Sequence, residues 1–451
     1  MSTVNLPETP SKFSINELAI VTKTGKLDIS KLFQELNIFD SLLSPVMTGA
    51  VVIVDSIGLS SKLLFDGSEV LLVNIGKDTD SETFRLQKAF RIYRQTNRAT
   101  LQQNSETYTL EFVSDEFIFS EQQKINQSYK TTYSDVVKKI LNGYLKVPEQ
   151  KLRGVFQDTT GIRDLVIPNL KPLDALEWCA KRAVDQKKSP NYVFFENNLG
   201  FNFVSLSYLL SSDYLFKIKF PAKNLEETKP NQDLLSPRHF EVVNQSDKIK
   251  TTREGVAAGT FIGFDPITRS IQNKRIGFED HYNAMDHGND TANFSQSRNR
   301  GGEKATEAYD SKKVLSIFGA NIKNSAYVKK YDPTSISKVE TPEDFIFARK
   351  AIFANLMNKR IKLVMPGNFQ LTSGFNLNVR VPDFSKKETG SENEDRSLSG
   401  KYLIIASRHV IKYDMHETVL ELATTSNETD FVPQGVPEQN KAIETYGSYW
   451  K

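Results

Sequence analysis

One cluster in the sequence brings carboxylates and imidazoles close enough together to suggest a metal site. Its members are Asp280, His281, Asp286, His287 and Asp290. Such groups ligate zinc and other transition metals, so the spacing could in principle hold an ion. The surrounding segment, residues 280–313, is polar and rich in Asn, Ser, Gly and Arg, which is typical of a surface insertion. We therefore expect these side chains to be solvated loop residues that bind no metal.

Thiol chemistry is confined to one residue, because Cys179 is the only cysteine. A single cysteine excludes an internal disulfide and a thiolate metal cluster. Its neighbours belong to a helical pattern, which favours a packed core thiol over a nucleophile. His416-Glu417 has no second histidine at the spacing of a zinc protease. We expect neither Cys179 nor the pair His409 and His416 to be catalytic.

Motifs of nucleotide and acyl chemistry are incomplete. The Gly-Lys pairs at Gly25, Gly76 and Gly400 lack both the earlier glycine and the following Ser or Thr of a phosphate-binding loop. The chain also has no nucleophile elbow of the G-x-S-x-G type. Hydrolases of these classes are therefore disfavoured.

Two groups of acidic residues could be taken for functional sites. Asp78, Asp80 and Glu82 alternate as in a calcium loop, but the glycine and the terminal glutamate of an EF-hand are missing, which favours a charged hairpin tip. Glu106 and Glu111 could be chosen as a glycosidase pair, yet the strand pattern around them places them on a sheet face. The sequence thus predicts a protein with no enzymatic activity, no cofactor and no metal.

Length and composition indicate a multidomain globular protein. The 451 residues correspond to about three domains of ~150 residues each. Hydrophobic residues make up 39% and charged residues 25%, which excludes a wholly disordered chain. The net charge is only +3, and the basic residues form no long stripe, so a dedicated nucleic-acid-binding face is disfavoured. The apolar runs are far shorter than the ~20 residues of a membrane-spanning helix. Because the N-terminus lacks a secretory signal pattern, we expect folding in a cytoplasm.

The predicted elements near the N-terminus follow a definite order. A helix-like stretch leads into a strand, then two turns, an alternating strand and two further strands. In sequence order these are residues 30–43, residues 49–55, turns at Gly58 and Asp66-Gly67, and strands at 70–75, 90–93 and 106–113.

The same order returns near the C-terminus. It comprises a helix over 342–359, a strand over 361–365, turns at Gly367 and Ser373-Gly374, and strands at 377–381, 402–406 and 418–423. The closing strands also share letters, LEF ending at Phe112 against LEL ending at Leu422. Because short strands often look alike, the common order is the stronger argument. The sequence therefore predicts an internal duplication.

The helix over 342–359 is the best specified of these elements. Its apolar residues recur at helical spacing, and they are Phe345, Ala348, Ile352 and Leu356. We expect this face to pack on the C-terminal sheet.

The region between the two units has a different character. Helical patterns at 134–145 and 172–186 precede two aromatic-rich strands, 191–196 and 201–205, and the turn between them predicts a hairpin. The predicted fold class is β-rich α+β, with an α+β domain inserted between two similar β domains. The boundaries that we assign are 12–117, 118–215 and 216–425, with insertions in the last at about 265–335 and 384–399 and a tail at 426–451.

Several runs of residues resemble a known family. LVIPNLKPLDALEW begins at Leu165 and is followed by YVFFEN at Tyr192 and GFNF at Gly200. These runs resemble the inserted domain of baseplate hub proteins of contractile phage tails, a family that includes late control protein D and the hubs of contractile injection systems. Residues 255–265 resemble the family's entry into its second β domain, and GKYLI at Gly400 resembles that domain's closing half.

The resemblance implies a homotrimer in which each chain supplies two β-barrel tube domains. Three duplicated chains would present six similar surfaces, so that a three-fold spike could meet a six-fold tube. It also implies a spike protein on one face, the tail tube protein on the other, and tape measure and baseplate wedge proteins as further contacts, in the tail baseplate of a virion. Membranes and sequence-specific nucleic acid are not among the implied partners. The polar tail at 426–451 is too short for a spike or peptidoglycan-cleaving domain, so we expect those on separate proteins.

The sequence leaves three other functions open. The hub of a phage-derived injection or secretion machine would share the fold, and neighbouring genes would separate the two. A cell-wall hydrolase of the tail tip is a different class, and the missing catalytic constellation disfavours it. A sugar-binding adhesin would also be β-rich, but exposed aromatic clusters are not evident.

Overall fold

The protein is built mainly from β-strands. The computed structural model describes residues 13–23, 25–59, 65–76, 85–102, 105–220, 235–265, 269–293, 311–317, 342–383 and 394–428. The strands in chain order are β1 (Ser14–Thr22), β2 (Gly25–Asp28), β3 (Phe33–Ser41), β4 (Thr48–Asp55), β5 (Val70–Gly76), β6 (Arg85–Gln102), β7 (Ser105–Ser114), β8 (Ser128–Thr131), β9 (Arg163–Val166), β10 (Tyr192–Asn197), β11 (Gly200–Ser205), β12 (Tyr214–Lys219), β13 (His239–Asn244), β14 (Ala258–Asp265), β15 (Ser270–Gly277), β16 (Thr291–Ala292), β17 (Lys312–Ile317), β18 (Arg360–Pro366), β19 (Asn376–Arg380), β20 (Gly400–Lys412), β21 (His416–Ala423) and β22 (Ser426–Asn427). The helices are α1 (Asp115–Glu121), α2 (Tyr133–Gly143), α3 (Pro172–Arg182), α4 (Leu206–Ser211), α5 (Lys248–Arg253), α6 (Phe278–Tyr282) and α7 (Pro342–Leu356). None of these described helices is long and apolar enough to span a membrane.

The N-terminal strands form one antiparallel array in the order β3-β4-β7-β6-β5-β1-β2. Buried and half-buried side chains alternate along β4, as the two-residue period of a strand requires. Val51 and Ile53 of this strand are fully buried. They share one core with apolar side chains from β1, β3, β5, β6 and β7, so the array curves around that core.

The C-terminal strands repeat this arrangement. Their order is β13-β18-β21-β20, continued by β19 and β12. Strand for strand, β3, β4, β7, β6, β5 and β1 correspond to β13, β18, β21, β20, β19 and β12. Gly67 and Gly374 precede the corresponding strands β5 and β19, and both have a positive φ, +86° and +92°, which favours glycine. The one reversal is the last pair, because β12 runs parallel to β19 whereas β1 runs antiparallel to β5.

The strand ladders align the two arrays residue by residue. In β6 the ladder to β7 shifts directly after Ile92, which lies opposite Phe112. In β20 the ladder to β21 shifts directly after Ile404, which lies opposite Leu422. Phe112 therefore corresponds to Leu422, the same match that the shared letters of the closing strands predicted.

Two sequence-based expectations about these arrays are wrong. Residues 30–43 are not helical, because Phe33–Ser41 forms β3 and pairs on both edges, with β4 and with β20. That double pairing overrides the helix-like spacing of its apolar residues. Residues 255–265 do not enter the second array either, since Ala258–Asp265 is the middle strand of a separate sheet, β15-β14-β17.

The region between the arrays has the helices and the hairpin that the sequence predicts. α2 and α3 pack beside β10 and β11 around one core, and the hairpin closes at Asn197 opposite Gly200. α3 ends at Arg182, earlier than expected, because the backbone of Ala183 is extended.

The predicted apolar face of α7 is buried. Ile352 and Leu356 share a core cluster with Leu403 and Ala423 of the C-terminal array, as expected. Phe345, which was expected on the same sheet, lies instead beside Arg182 of α3, whose guanidinium carbon is 5.5 Å from the ring centroid.

Some sequence-based assignments lie outside the described residues. They are the hairpin tip with Asp78, Asp80 and Glu82, the greater part of the insertions at 265–335 and 384–399, and the tail beyond Glu428.

Candidate assembly interface

The two arrays are joined edge to edge by β3 and the second half of β20. The pairing is antiparallel and runs from Ala406 opposite Ser41 to Lys412 opposite Glu35. The first half of β20 pairs with β19 on the same edge, from Gly400 to Leu403. β20 therefore changes partner along its length, and the two arrays become one continuous sheet.

A buried carboxylate reinforces this junction. Asp40 of β3 accepts hydrogen bonds from the backbone amide of Ser373 at 2.7 Å, from the Thr372 hydroxyl at 3.0 Å and from the Ser407 hydroxyl at 2.6 Å. Desolvation raises the pKa of Asp40, and these hydrogen bonds oppose the rise. The donors all come from the C-terminal array, so Asp40 fastens the two arrays to each other.

A second buried carboxylate fastens the inserted region to the N-terminal array. Glu196 of β10 accepts from the backbone amide of Met47 at 3.0 Å and from the Ser114 hydroxyl, and it lies 2.9 Å from the Lys88 ammonium. Desolvation acts to raise the pKa of Glu196, but the charges of Lys88 and Lys151 and the hydrogen bonds lower it. Glu196 is therefore a charged residue held in a closed site.

Several strand edges of the sheet have no described partner strand, and two of them belong to β6 and β13. Beyond Arg91, β6 is paired with a described strand only on its β7 side. β13 is the terminal strand of the sheet and pairs only with β18 among the described strands. Both edges carry exposed apolar side chains, including Leu101 on β6 with 54% exposure and Val243 on β13 with 41%. Open apolar edges are the usual sites of strand addition.

The thiol and two of the histidines considered for chemistry are buried. Cys179 is fully buried in the core of the inserted region, as predicted. His409 and His416 are buried against the ring of Phe369. The Nδ1 atom of His409 lies 3.1 Å from the Thr418 hydroxyl, and burial lowers the pKa of His409 to about 3.

The histidines of the first cluster are also packed, which corrects the expectation that they are solvated. His281 is buried, and its Nε2 atom lies 3.0 Å from the Val256 carbonyl. His287 stacks on Tyr282 and bonds the Thr425 hydroxyl at 2.7 Å. α6 carries His281 inward, and His287, which follows the helix, is held by Tyr282 and Thr425. No group of three or more metal-ligating side chains occurs within the described ranges.

The two glutamates considered for sugar hydrolysis are bound by arginines on the sheet surface. Arg94 lies 2.7 Å from Glu111, and Arg98 lies 2.8 Å from Glu106. Both side chains are thus engaged in surface ion pairs of the β6-β7 ladder.

Neither of the fastening carboxylates, Asp40 and Glu196, is among the functional residues predicted from the sequence. A signal was present, since each acid directly follows two large apolar residues, Ile38-Phe39 before Asp40 and Phe194-Phe195 before Glu196. Charges at such positions are almost never fully buried unless they are paired. Their partners come from distant parts of the chain, so the pairing is visible only in the fold.

The chain is similar to known proteins in its fold but not in its sequence. No protein-family profile matches the chain, and no curated protein matches it. Among solved structures, a 43 kDa tail protein of prophage MuSo2 from Shewanella oneidensis matches with a TM-score of 0.50 and 7% identity, covering 91% of this chain and 98% of that one. A tail protein from Neisseria meningitidis matches with a TM-score of 0.49 and 9% identity, covering 90% and 96%. A type VI secretion component of E. coli, described as similar to T4 bacteriophage tail proteins, matches with a TM-score of 0.39 and 10% identity, covering 94% and 80%. The Shewanella match shows that this chain has the fold of a phage tail protein.

Proposed function

We propose that this protein is a structural hub of a phage-like tail baseplate, a homotrimeric ring that joins the tail tube to the central spike. The observation that supports this most strongly is the repeated strand order of the two arrays. Two similar arrays per chain and a three-fold axis give six similar surfaces, which is what an adaptor between a three-fold spike and a six-fold tube requires. The tail-protein fold supports the same assignment.

The role is one of shape and contact, and the protein is not an enzyme. Its buried thiol and imidazoles serve packing, and the acids considered for catalysis form ion pairs. The spike protein binds one face of the ring and the tail tube protein binds the other, with tape measure and baseplate wedge proteins outside. The net charge of +3 is compatible with DNA passing through without being held.

The test is the mass of the intact protein in solution, measured by light scattering alone and with a candidate spike protein, followed by end-on imaging of particles. We expect three times the 51.1 kDa chain and a ring with six similar lobes. A stable monomer in the mixture, or a ring of six chains, would overturn the proposal. A peptidoglycan zymogram of the same sample tests the competing hydrolase function, and a cleared band there would refute the non-enzymatic role.

A further inference from the structure

A cavity of about 280 Å³ opens between the inserted region and the segment that separates β13 from β18. One wall is the turn after α3 with Lys188 and Pro190, and the other walls come from β15, α6 and α7. Ile276, Ala348 and Ile352 form an apolar floor, since all three are buried. The volume lies below the ~300–1,000 Å³ of sites that enclose a drug-sized ligand. The cavity therefore suits a single residue with an apolar side chain.

The mouth of the cavity carries a net positive charge. Lys188, Lys274 and Arg275 line it with exposed side chains. Asp280 is the single carboxylate among the described residues that line the cavity, and the Gly277 backbone amide donates to it at 2.6 Å. A cleft in which one sign of charge prevails attracts ligands of the opposite sign. With three cations and one carboxylate, this mouth favours an anionic group.

The ring of His281 adds a hydrogen-bond acceptor to the cavity. Its Nε2 atom lies 3.0 Å from the Val256 carbonyl oxygen, which can only accept, so Nε2 carries the ring proton. Burial lowers the pKa of His281 to about 4, so the ring is neutral at pH 7. Nδ1 then carries no proton and is the acceptor that the ring can offer to a ligand in the cavity. A ligand that matches the cavity should therefore also carry a donor.

The wall with Lys188 is held in place by the fold itself. The backbone of Lys188 is left-handed, with φ +62°, a conformation that residues with a Cβ rarely adopt. The Asp185 carboxylate accepts from the Ser189 backbone amide at 2.8 Å, which closes this turn. On the other side, Arg349 of α7 donates to the Pro190 carbonyl at 3.4 Å. A wall that is already ordered lowers the entropic cost of binding.

We propose that this cavity binds the C-terminal residue of a partner polypeptide whose last side chain is aliphatic. The terminal carboxylate meets the cationic mouth, the side chain covers the apolar floor, and the last amide N–H donates to His281. An inorganic anion would leave the floor uncovered, and a simple fatty acid would lack the donor. Capture of a chain terminus is a recurrent mode of peptide recognition. The proposal does not depend on the ring, so its failure leaves the proposed function untouched.

The test is a ligand-observed NMR titration of the full-length protein with the hexapeptide GSGSGL, which has a free terminal carboxylate. Three matched peptides each lack one feature. The C-terminal amide lacks the charge, GSGSGS lacks the aliphatic side chain, and an ester in place of the last amide removes the N–H donor.

On the protein side, Lys274→Glu with Arg275→Glu reverses two cations of the mouth. The control is Lys138→Glu with Lys139→Glu, which changes the net charge equally at exposed positions of α2. Circular dichroism checks that both double variants are folded, and the matched peptides test the same contacts on the unmodified protein.

GSGSGL should bind about ten times more tightly than its amide, because hydrogen bonds to a charged group are the strong ones. GSGSGS and the ester should also bind more weakly. The dissociation constant should rise about tenfold in the Lys274→Glu/Arg275→Glu protein, but less than about twofold in the control, whose charges are screened by solvent. If the amide binds as well as the free acid, or if no peptide binds at millimolar concentration, the proposal is wrong. Equal weakening in both double variants would show attraction by net charge alone and would also overturn it. Binding of N-acetyl-leucine without binding of the hexapeptide would assign the cavity to a free small acid and exclude the polypeptide partner.

Discussion

Neutralising Glu196 should cost far more stability than its single charge suggests. Its side chain is 0% exposed and that of Lys88 is 7% exposed, with 2.9 Å between them. In Glu196→Gln the Lys88 ammonium stays in the same closed site without its counter-charge. Removing one partner of such a buried pair costs about 3–5 kcal/mol, because the other charge remains desolvated. The amide still accepts from the Met47 backbone, so the loss reports on the charge more than on that hydrogen bond.

The assay is urea unfolding followed by circular dichroism, at protein concentrations where the chain is monomeric. The matched control is Asp158→Asn, since Asp158 pairs with Lys138 at 3.3 Å but both side chains are largely exposed, and exposed pairs contribute little. A double variant, Glu196→Gln with Lys88→Met, should recover part of the loss because no charge is then left unpaired.

The pH dependence adds a second readout for Glu196. Its folded pKa lies below the ordinary 4.5, so its contribution to stability is present above pH 4.5 and is lost as the pH falls through the folded pKa. The difference between the native protein and Glu196→Gln should shrink accordingly in acid. If Glu196→Gln destabilises no more than Asp158→Asn at pH 7, the residue does not fasten the inserted region to the N-terminal array and the reasoning is refuted.

Two further predictions concern the core. Leu356→Ala should lower the free energy of unfolding by about 2–5 kcal/mol, because Leu356 is buried between α7 and the C-terminal array. The control is Leu199→Ala, at a position with 53% exposure, which should have little effect in the same urea titration. Burial lowers the pKa of His281 to about 4, so between pH 6.5 and 4 the imidazole is protonated in the unfolded chain but not in the folded one, and stability should fall as the pH drops through that range. In thermal melts, the melting temperature of His281→Gln should therefore depend less on pH than that of the native protein. An unchanged pH dependence would show that His281 does not cause the loss of stability in acid.

Local patterns in the sequence were sufficient for elements whose environment is local. The helix at Pro342–Leu356 and the hairpin at Asn197 to Gly200 follow from side-chain period and turn residues, and both are present. The match between the closing strands of the two arrays was also readable, because the ladder partners impose the same alternation on both. The helix and the hairpin depend on neighbours a few residues away.

The failures have a common physical cause, which is pairing across long sequence distances. Phe33–Ser41 has helix-like spacing but becomes a strand because β20, more than 360 residues later, binds its outer edge. His281 reads as a polar loop residue, yet α6 turns it toward the Val256 carbonyl. Asp40 and Glu196 are stable as buried acids only because distant segments supply their donors. No local period encodes such partners.

The largest difference between the two arrays is the connection between their second and third corresponding strands. β3 and β4 are joined by residues 42–47, whereas β13 and β18 are separated by residues 245–359, whose described elements are β14 to β17 and α5 to α7. The end of this excursion is held against the inserted region, because the Arg349 guanidinium of α7 donates to the Tyr192 carbonyl at 2.7 Å. Burial lowers the pKa of Arg349 to about 10, and the group remains charged at neutral pH. The excursion is thus anchored at the inserted region by Arg349, and Leu356 of α7 packs in one cluster with Leu42 and Ile405, beside the β3-β20 ladder.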